Sequence, residues 1–269
     1  MQVKPFYLNQ PIYLKQLAPR LVAGWILSMI ALPIANFFVG QAVLPAVITF
    51  SALLQVTLVL IFLVLAWGWR ITLKTAFMVM GLAWLIEFTG STTGYPFGAY
   101  HYTDLMRPQI GGVPLLIPLA WLMMLPPAWA VAHRIAGPRS RLAFIGWSAV
   151  AMTAWDLFLD PQMVAWGLWV WAHPNGYFGI PWTNYLGWLL ASALITAVVR
   201  PGPLPTRPLV LIYAITWLLE SLGLFFFWGL PGPALVGFIG MGSVLWLAYV
   251  KRKIGGLEIG DYQARISNL

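Results

Sequence analysis

Eight long apolar stretches divide the chain, and this division limits what it can fold into more than any other feature. The stretches begin near residues 21, 43, 71, 113, 142, 182, 208 and 230. Crossing the hydrocarbon core of a bilayer takes about 20 predominantly apolar residues. Only 8% of the 269 residues are charged, whereas a soluble domain has about 25% charged residues. We therefore predict an all-α fold, a polytopic membrane bundle of about eight transmembrane helices.

The basic residues indicate which side of the membrane each loop faces. Fourteen of the 15 lysines and arginines lie near the two termini or in every second loop, and only Arg107 lies in the other loops. The fourteen are Lys4, Lys15, Arg20, Arg70, Lys74, Arg134, Arg139, Arg141, Arg200, Arg207, Lys251, Arg252, Lys253 and Arg265. Cytoplasmic loops carry an excess of Lys and Arg, so both termini are predicted to be cytoplasmic. The basic surplus therefore reports topology, and no binding of nucleic acid is expected.

We expect residues 1–269 to form a single integral membrane domain, with short cytoplasmic tails at 1–20 and 251–269. The N-terminus lacks a short apolar segment followed by a small-residue cleavage site, so no removable signal peptide is expected. The chain contains no cysteine, which excludes disulfides and thiolate chemistry. The expected location is a cell membrane, the inner or plasma membrane of a bacterium.

Four of the seven acidic residues are predicted to lie in the same leaflet. Asp156 and Asp160 are four residues apart near the end of the fifth span, so a helix places both on one face. Pro161 follows them and is expected to end that helix. Glu87 lies near the end of the third span, and Glu220 lies past the middle of the seventh. A charge at mid-membrane costs about 2.5–3.5 kcal/mol, so all four are candidate catalytic residues. Neutral hydrogen bonding between helices is the alternative for the two glutamates.

Two loops on the non-cytoplasmic side, at roughly 91–112 and 161–181, adjoin these acids and are rich in aromatic residues. Tyrosine and tryptophan combine an apolar body with a polar tip, although many also mark the membrane interface. Asn184 is expected to orient water or a hydroxyl group. The candidate substrate contacts are Tyr100, His101, Tyr102, Asp104, Trp155, Trp182 and Asn184.

Four segments, in order, resemble the signature blocks of one membrane family. They are EFTGSTTGYPFGAYHYTD at 87–104, GGVPLLIPLAW at 111–121, WDLFLDPQMV at 155–164 and GYFGIPWTNYLGW at 176–188. The family is the CruF-type carotenoid hydratases, the carotenoid end-group hydratases that include the bacterioruberin-pathway hydratase. The resemblance is close over roughly residues 80–190.

The resemblance implies addition of water across the terminal isoprenoid double bond of an acyclic or monocyclic carotenoid, giving a tertiary alcohol. The reaction needs a proton donor, a shelter for a tertiary carbocation and a positioned water, which carboxyl groups and aromatic faces can supply. We interpret Asp156 and Asp160 as the pair that donates the proton and activates water, with Glu87 completing the site and Glu220 assigned less directly. The expected partners are a carotenoid taken from the bilayer, water and membrane lipids.

No cofactor and no metal are expected, because the sequence contains no P-loop, no GxGxxG after a strand and no Cys/His cluster. Three other functions use some of the same features. A membrane prenyltransferase would use a D-x-x-x-D pair to hold Mg²⁺ on a diphosphate, although only one such pair is present and no Lys/Arg cluster adjoins it. A carotenoid end-group cyclase would also begin by protonating a double bond. A proton-coupled transporter would use intramembrane acids as a relay, although the cytoplasmic half has no continuous file of polar residues.

Overall fold

Eight helices form the bundle in the computed structural model. The structure describes the backbone of residues 12–137 and 140–267. Within those ranges it describes the side chains of residues 14 and 16–251. The helices are α1 (Ile12–Val39), α2 (Leu44–Trp67), α3 (Trp69–Thr93), α4 (Leu116–Ala136), α5 (Arg141–Ala165), α6 (Trp182–Val199), α7 (Thr206–Phe226) and α8 (Pro231–Ser267). All eight are long and apolar enough to cross a membrane. The prediction of an eight-span helical bundle is therefore confirmed.

The expected tails are only partly covered by the described residues. Residues 1–11 and 268–269 lie outside them, as do the basic residues Lys4 and Arg139. Within the described part, α1 begins inside the expected N-terminal tail, and α8 continues through most of the expected C-terminal tail.

Local backbone chemistry sets several helix boundaries. Gly68, with φ of +77°, separates α2 from α3, and Gly94, with φ of +80°, ends α3. Glycine adopts such positive φ angles without the steric penalty that a Cβ atom brings. At the start of α5, the hydroxyl oxygen of Ser140 accepts a hydrogen bond from the Ala143 N–H over 3.2 Å, which satisfies one of the free donors of the first turn.

Helix α5 continues through Pro161, so the prediction that this proline ends the helix was wrong. Proline has no N–H to donate to the carbonyl oxygen of Leu157, four residues earlier. The hydroxyl group of Tyr177 donates to that carbonyl instead, over 3.1 Å. Because the following loop supplies the missing donor, the helix runs on to Ala165, and Gln162 becomes a helical residue.

Helix α4 lies at the centre of the bundle and packs against α2, α3, α5, α7 and α8. Polar contacts connect the neighbouring helices. The indole N–H of Trp129 in α4 donates to the Thr196 hydroxyl in α6 over 2.8 Å. The hydroxyl of Tyr213 in α7 donates to the Ala151 carbonyl in α5, also over 2.8 Å. These two hydrogen bonds link α4 to α6 and α7 to α5.

The two aromatic loops pair with each other on one side of the bundle. Four short strands lie in these loops: β1 (Tyr100–Tyr102), β2 (Gln109–Ile110), β3 (Val113–Pro114) and β4 (Trp169–Trp171). Strands β2 and β3 form a small hairpin. Strand β1 runs antiparallel to β4, with Tyr100 opposite Trp171 and Tyr102 opposite Trp169. The loops after α3 and α5 therefore lie on the same side, as the distribution of basic residues predicts.

We predict that residues 105 and 170 lie on the non-cytoplasmic side, because the opposite loops carry almost all of the basic residues. Reporter enzymes that are active only outside the cytoplasm, fused at each position, should be active. The matched control is a fusion at residue 204, between α6 and α7, which should be inactive. Inactive reporters at both 105 and 170 would place these residues in the cytoplasm and contradict the predicted orientation.

Candidate functional site

Three of the four predicted catalytic acids come together between α3, α5 and α6. Glu87, Asp156 and Asp160 are all buried. Because Asp156 and Asp160 share one face of α5, the side-chain amide of Asn184 in α6 donates to both, over 2.9 Å to Asp156. Glu87 lines the same small cavity as Asp160 and Asn184. We call Glu87, Asp156, Asp160 and Asn184 the carboxyl cluster.

Glu87 accepts hydrogen bonds from three donors. The hydroxyl groups of Tyr100 and Tyr102 donate to Oε2 over 2.6 and 2.7 Å, and the indole N–H of Trp121 donates to Oε1 over 3.0 Å. Burial, and next the charge of Glu87, raise the pKa of both tyrosine hydroxyls. Both therefore stay protonated and act as donors that fix the orientation of the glutamate.

The alternation of side chains along β1 decides which loop residues reach the cluster. Successive side chains of a strand point to opposite faces. Tyr100 and Tyr102 therefore point inward together, and His101 between them is exposed. Opposite Tyr102, Trp169 of β4 points inward too, and its indole N–H donates to Asp160 Oδ1 over 2.7 Å. His101, a predicted substrate contact, lies outside the cluster.

Asp104 and Trp182, two further predicted substrate contacts, also lie away from the cluster. Asp104 forms an ion pair with Arg107 over 2.6 Å, with both side chains exposed. Trp182 is 64% exposed and packs against the ring of Tyr177. It stands two residues before Asn184 on α6, and helical residues two apart point in roughly opposite directions. Since Asn184 points inward, Trp182 points outward.

A large apolar cavity adjoins the carboxyl cluster. Its volume is about 420 Å³, within the range of small-molecule pockets, about 300–1,000 Å³. Residues of α1, α2, α4, α5 and α7 line it. Its lining includes Ile30, Ile34 and Phe227, whose side chains are exposed on the bundle surface. The apolar cavity therefore reaches the surface of the bundle between α1 and the end of α7.

Glu220, the fourth predicted catalytic acid, lines the apolar cavity and is not part of the carboxyl cluster. Its carboxyl group lies beside the side chain of Gln162, which lines the same cavity. Trp155, a predicted substrate contact, lies there too, and its buried indole nitrogen has no hydrogen-bond partner among the described residues. Glu220 therefore lies at the apolar cavity, whereas the other three acids lie in the carboxyl cluster.

A second cavity, of about 30 Å³, lies within the carboxyl cluster. Glu87, Tyr102, Asp160 and Asn184 supply its polar lining together with Tyr100. The small cavity and the apolar cavity share a wall. The residues that line both are Ile117, Ala120, Leu159 and Trp169.

Comparison with known proteins agrees with this architecture. The model of the family described as "Carotenoid biosynthesis protein" matches residues 47–241, a range that includes the carboxyl cluster and Glu220. The chain belongs to this family. As a carotenoid biosynthesis protein with eight spans, it is a multi-pass membrane protein.

One curated relative of this carotenoid biosynthesis protein is bisanhydrobacterioruberin hydratase from Haloarcula japonica. The two are 33% identical over 112 residues, which cover 40% of this chain and 38% of the relative. The match therefore spans less than two thirds of the relative's length. No solved structure matches the chain.

Three side chains of this carotenoid biosynthesis protein that contact the candidate acids were not predicted from the sequence: Trp121, Gln162 and Trp169. Trp121 and Gln162 lie inside the segments that carry the family resemblance, so a signal for them was present. Trp169 lies outside those segments. Only its pairing with Tyr102 across two distant loops brings it to Asp160.

Phe97 closes one side of the small cavity and is held between two glycines. A Cβ atom at Gly90 in α3 would lie 2.5 Å from the Phe97 ring, and one at Gly187 in α6 would lie 2.6 Å from it. Phe97 is buried and lines the small cavity. The two glycines therefore let α3 and α6 approach the aromatic loop closely enough to complete the cluster.

We predict that Gly187→Ala lowers the free energy of unfolding by about 1–3 kcal/mol, because the added methyl group overpacks the Phe97 contact. Gly146→Ala in α5 is the matched control, since its Cβ atom would meet no atom within 4 Å. This control should be neutral or stabilising by up to about 1 kcal/mol. Denaturant titration in detergent micelles measures both. Equal stability of the two variants would contradict the close packing at Phe97.

Proposed function

We propose that this protein is a carotenoid hydratase that adds water across the terminal isoprenoid double bond of an acyclic or monocyclic carotenoid end, giving a tertiary alcohol. One observation carries the proposal: buried carboxyl groups adjoin an apolar cavity that reaches the surface of the bundle, in a chain of the carotenoid biosynthesis family. The partial similarity to a hydratase supports the same class of reaction.

The proposed reaction is acid–base chemistry and involves no electron transfer. A proton adds to one alkene carbon, a tertiary carbocation forms, and water captures it and loses a proton. Carboxyl groups can give and take these protons. Aromatic faces stabilise a cation by about 2 kcal/mol when water is excluded, and Trp155 and Trp169 line the apolar cavity. We propose that Glu87, Asp156, Asp160 and Glu220 supply the carboxyl groups.

The proposed substrate reaches the site from the bilayer. A carotene is nearly as long as the hydrocarbon core, about 30 Å thick, and it cannot cross water. The apolar cavity has room for one end of such a molecule, and the remaining polyene would stay in lipid beyond α1 and α7. We propose a bacterial inner or plasma membrane as the location.

The surroundings of the acids favour a hydratase over a prenyltransferase. No Lys or Arg side chain in the described part of the chain lines the apolar or the small cavity, whereas a diphosphate site requires basic groups. In addition, the Asn184 amide lies between Asp156 and Asp160 as a donor to both. A cation that bridged the two carboxylates would have to occupy the position of this amide.

Expression in a lycopene-producing host tests the proposal directly. We expect the extracted pigment to gain the mass of one water for each end that reacts, compared with a host carrying the empty vector. A host that makes a monocyclic carotene tests the second kind of end. A product of unchanged mass with a new ring would identify a cyclase, and a product with added isoprenoid carbons would identify a prenyltransferase.

We predict that Asp156→Asn and Asp160→Asn each lower hydration by about 10²–10⁴-fold while the protein stays folded in the membrane. Asparagine keeps the side-chain volume but can neither transfer a proton nor carry the negative charge that stabilises a carbocation. The measurement is product per folded enzyme, with Glu87→Gln and Glu220→Gln assayed in parallel.

Thr153→Val is the matched control on the same helix. Its hydroxyl has no hydrogen-bond partner among the described side chains and backbone, and it lines neither cavity, so turnover should be retained. If both Asp variants keep nearly full turnover, the pair is architectural, and the acid–base groups are Glu87 and Glu220.

A further inference from the structure

We propose that Glu220, in the apolar cavity, donates the proton to the carotenoid double bond, and that the small cavity of the carboxyl cluster binds the water that is added. The inference rests on the proposed hydratase function and assigns the two halves of the reaction to two places. It differs from the sequence-based interpretation, in which Asp156 and Asp160 perform both tasks.

Cavity size separates the two reactants. A cavity needs about 10–15 Å³ to hold one water molecule, together with two to four polar partners. The small cavity, at about 30 Å³, meets the first requirement, and Glu87, Tyr102, Asp160 and Asn184 meet the second. The branched end of an isoprenoid is much larger than water and fits only the apolar cavity of about 420 Å³.

Helix α5 presents different side chains to the two cavities. Asp160 points into the small cavity, and Gln162 lines the apolar cavity with Glu220. Two residues along a helix correspond to a rotation of about 200°, so these side chains point in opposite directions. Leu159 lies between them around the helix and lines both cavities. An alkene in the apolar cavity would meet Glu220 directly, and the added water would reach it where the two cavities share their lining.

The acids of the two cavities also differ in the hydrogen bonds that they accept. Glu87 accepts from three donors, and Asp160 accepts from Trp169 and Asn184. Convergent donors of this kind stabilise the ionised carboxylate, which is the form that can accept a proton. Glu220 lies beside the Gln162 side chain and otherwise faces an apolar cavity. That setting suits a neutral carboxyl group that can give a proton.

The proposed steps balance in atoms and electrons. The proton of the Glu220 carboxyl group moves to the less substituted alkene carbon, the π electrons form the new C–H bond, and positive charge remains on the tertiary carbon. A lone pair of the bound water forms the C–O bond, and the Asp160 carboxylate takes the proton that water loses. Exchange of protons with solvent then returns Glu220 to its neutral form and Asp160 to its ionised form.

Deuterium incorporation separates the two halves of the reaction. Membranes containing the enzyme and a lycopene substrate are incubated in D₂O, and both the alcohol and the recovered carotene are analysed by mass and by NMR. Asp160→Asn should lose alcohol formation by about 10²-fold or more but still place deuterium in the end group of recovered carotene. This is expected because the carbocation forms and then loses a proton. Glu220→Gln should produce neither alcohol nor deuterated carotene.

Two further variants change the volume of the cavities and leave every carboxyl group in place. Ala120→Val adds volume at the wall of the small cavity, and it should raise the ratio of deuterated carotene to alcohol about tenfold or more. Ala52→Val adds the same volume to the apolar cavity alone, and it should slow turnover without changing that ratio. As a control, Ser221→Ala should behave as wild type, because the Ser221 hydroxyl donates to the Trp217 carbonyl of its own helix.

Several outcomes would overturn the assignment. Deuterium or alcohol produced by folded Glu220→Gln at wild-type levels would exclude Glu220 as the donor. Absence of deuterium in both folded Asp160→Asn and folded Ala120→Val would place proton donation in the carboxyl cluster. A wild-type enzyme that forms no alcohol from any carotene end would instead overturn the proposed function itself, and this inference with it.

Discussion

Burial of three carboxyl groups inside a membrane bundle is the constraint on which the rest of this structure depends. A charged or polar group without partners is costly in such surroundings, so donors must be brought to each acid. The Asn184 amide serves Asp156 and Asp160 together. Two tyrosines and Trp121 serve Glu87. Pairing of β1 with β4, and the close approach of α3 and α6 at glycines, bring these donors to the acids.

The loops after α3 and α5 do more than connect helices. The Tyr177 hydroxyl completes the hydrogen bond that Pro161 leaves unmade, and this allows α5 to carry Gln162 beyond Asp160. Trp169, from the same loop, binds Asp160 through its N–H and forms part of the wall between the two cavities. One loop therefore shapes the helix that holds the acids, orients one of those acids, and separates a water-sized space from a hydrocarbon-sized one.

Geometry explains which of the predicted site residues the structure brings together and which it does not. The four-residue spacing of Asp156 and Asp160 placed both on one helical face, where Asn184 contacts both. His101 and Trp182 were grouped with the site because neighbours in the chain belong to it. Strand alternation and helical rotation turn both side chains outward. Asp104 pairs with Arg107 three residues later, a local contact that competes with any role at the cluster.

The sequence by itself determined the eight spans, their alternation across the membrane and the gathering of acids near one side. These properties depend on local composition, the length of apolar stretches and the placement of basic residues, which are readable without knowing any long-range contact. Only the tertiary structure decided which donors each acid receives, that α5 passes through Pro161, and that Glu220 faces a cavity apart from the other three acids. Those outcomes depend on contacts between residues far apart in the chain, such as Trp169 with Tyr102 and Gln162 with Glu220. Such contacts form only when helices and loops pack together.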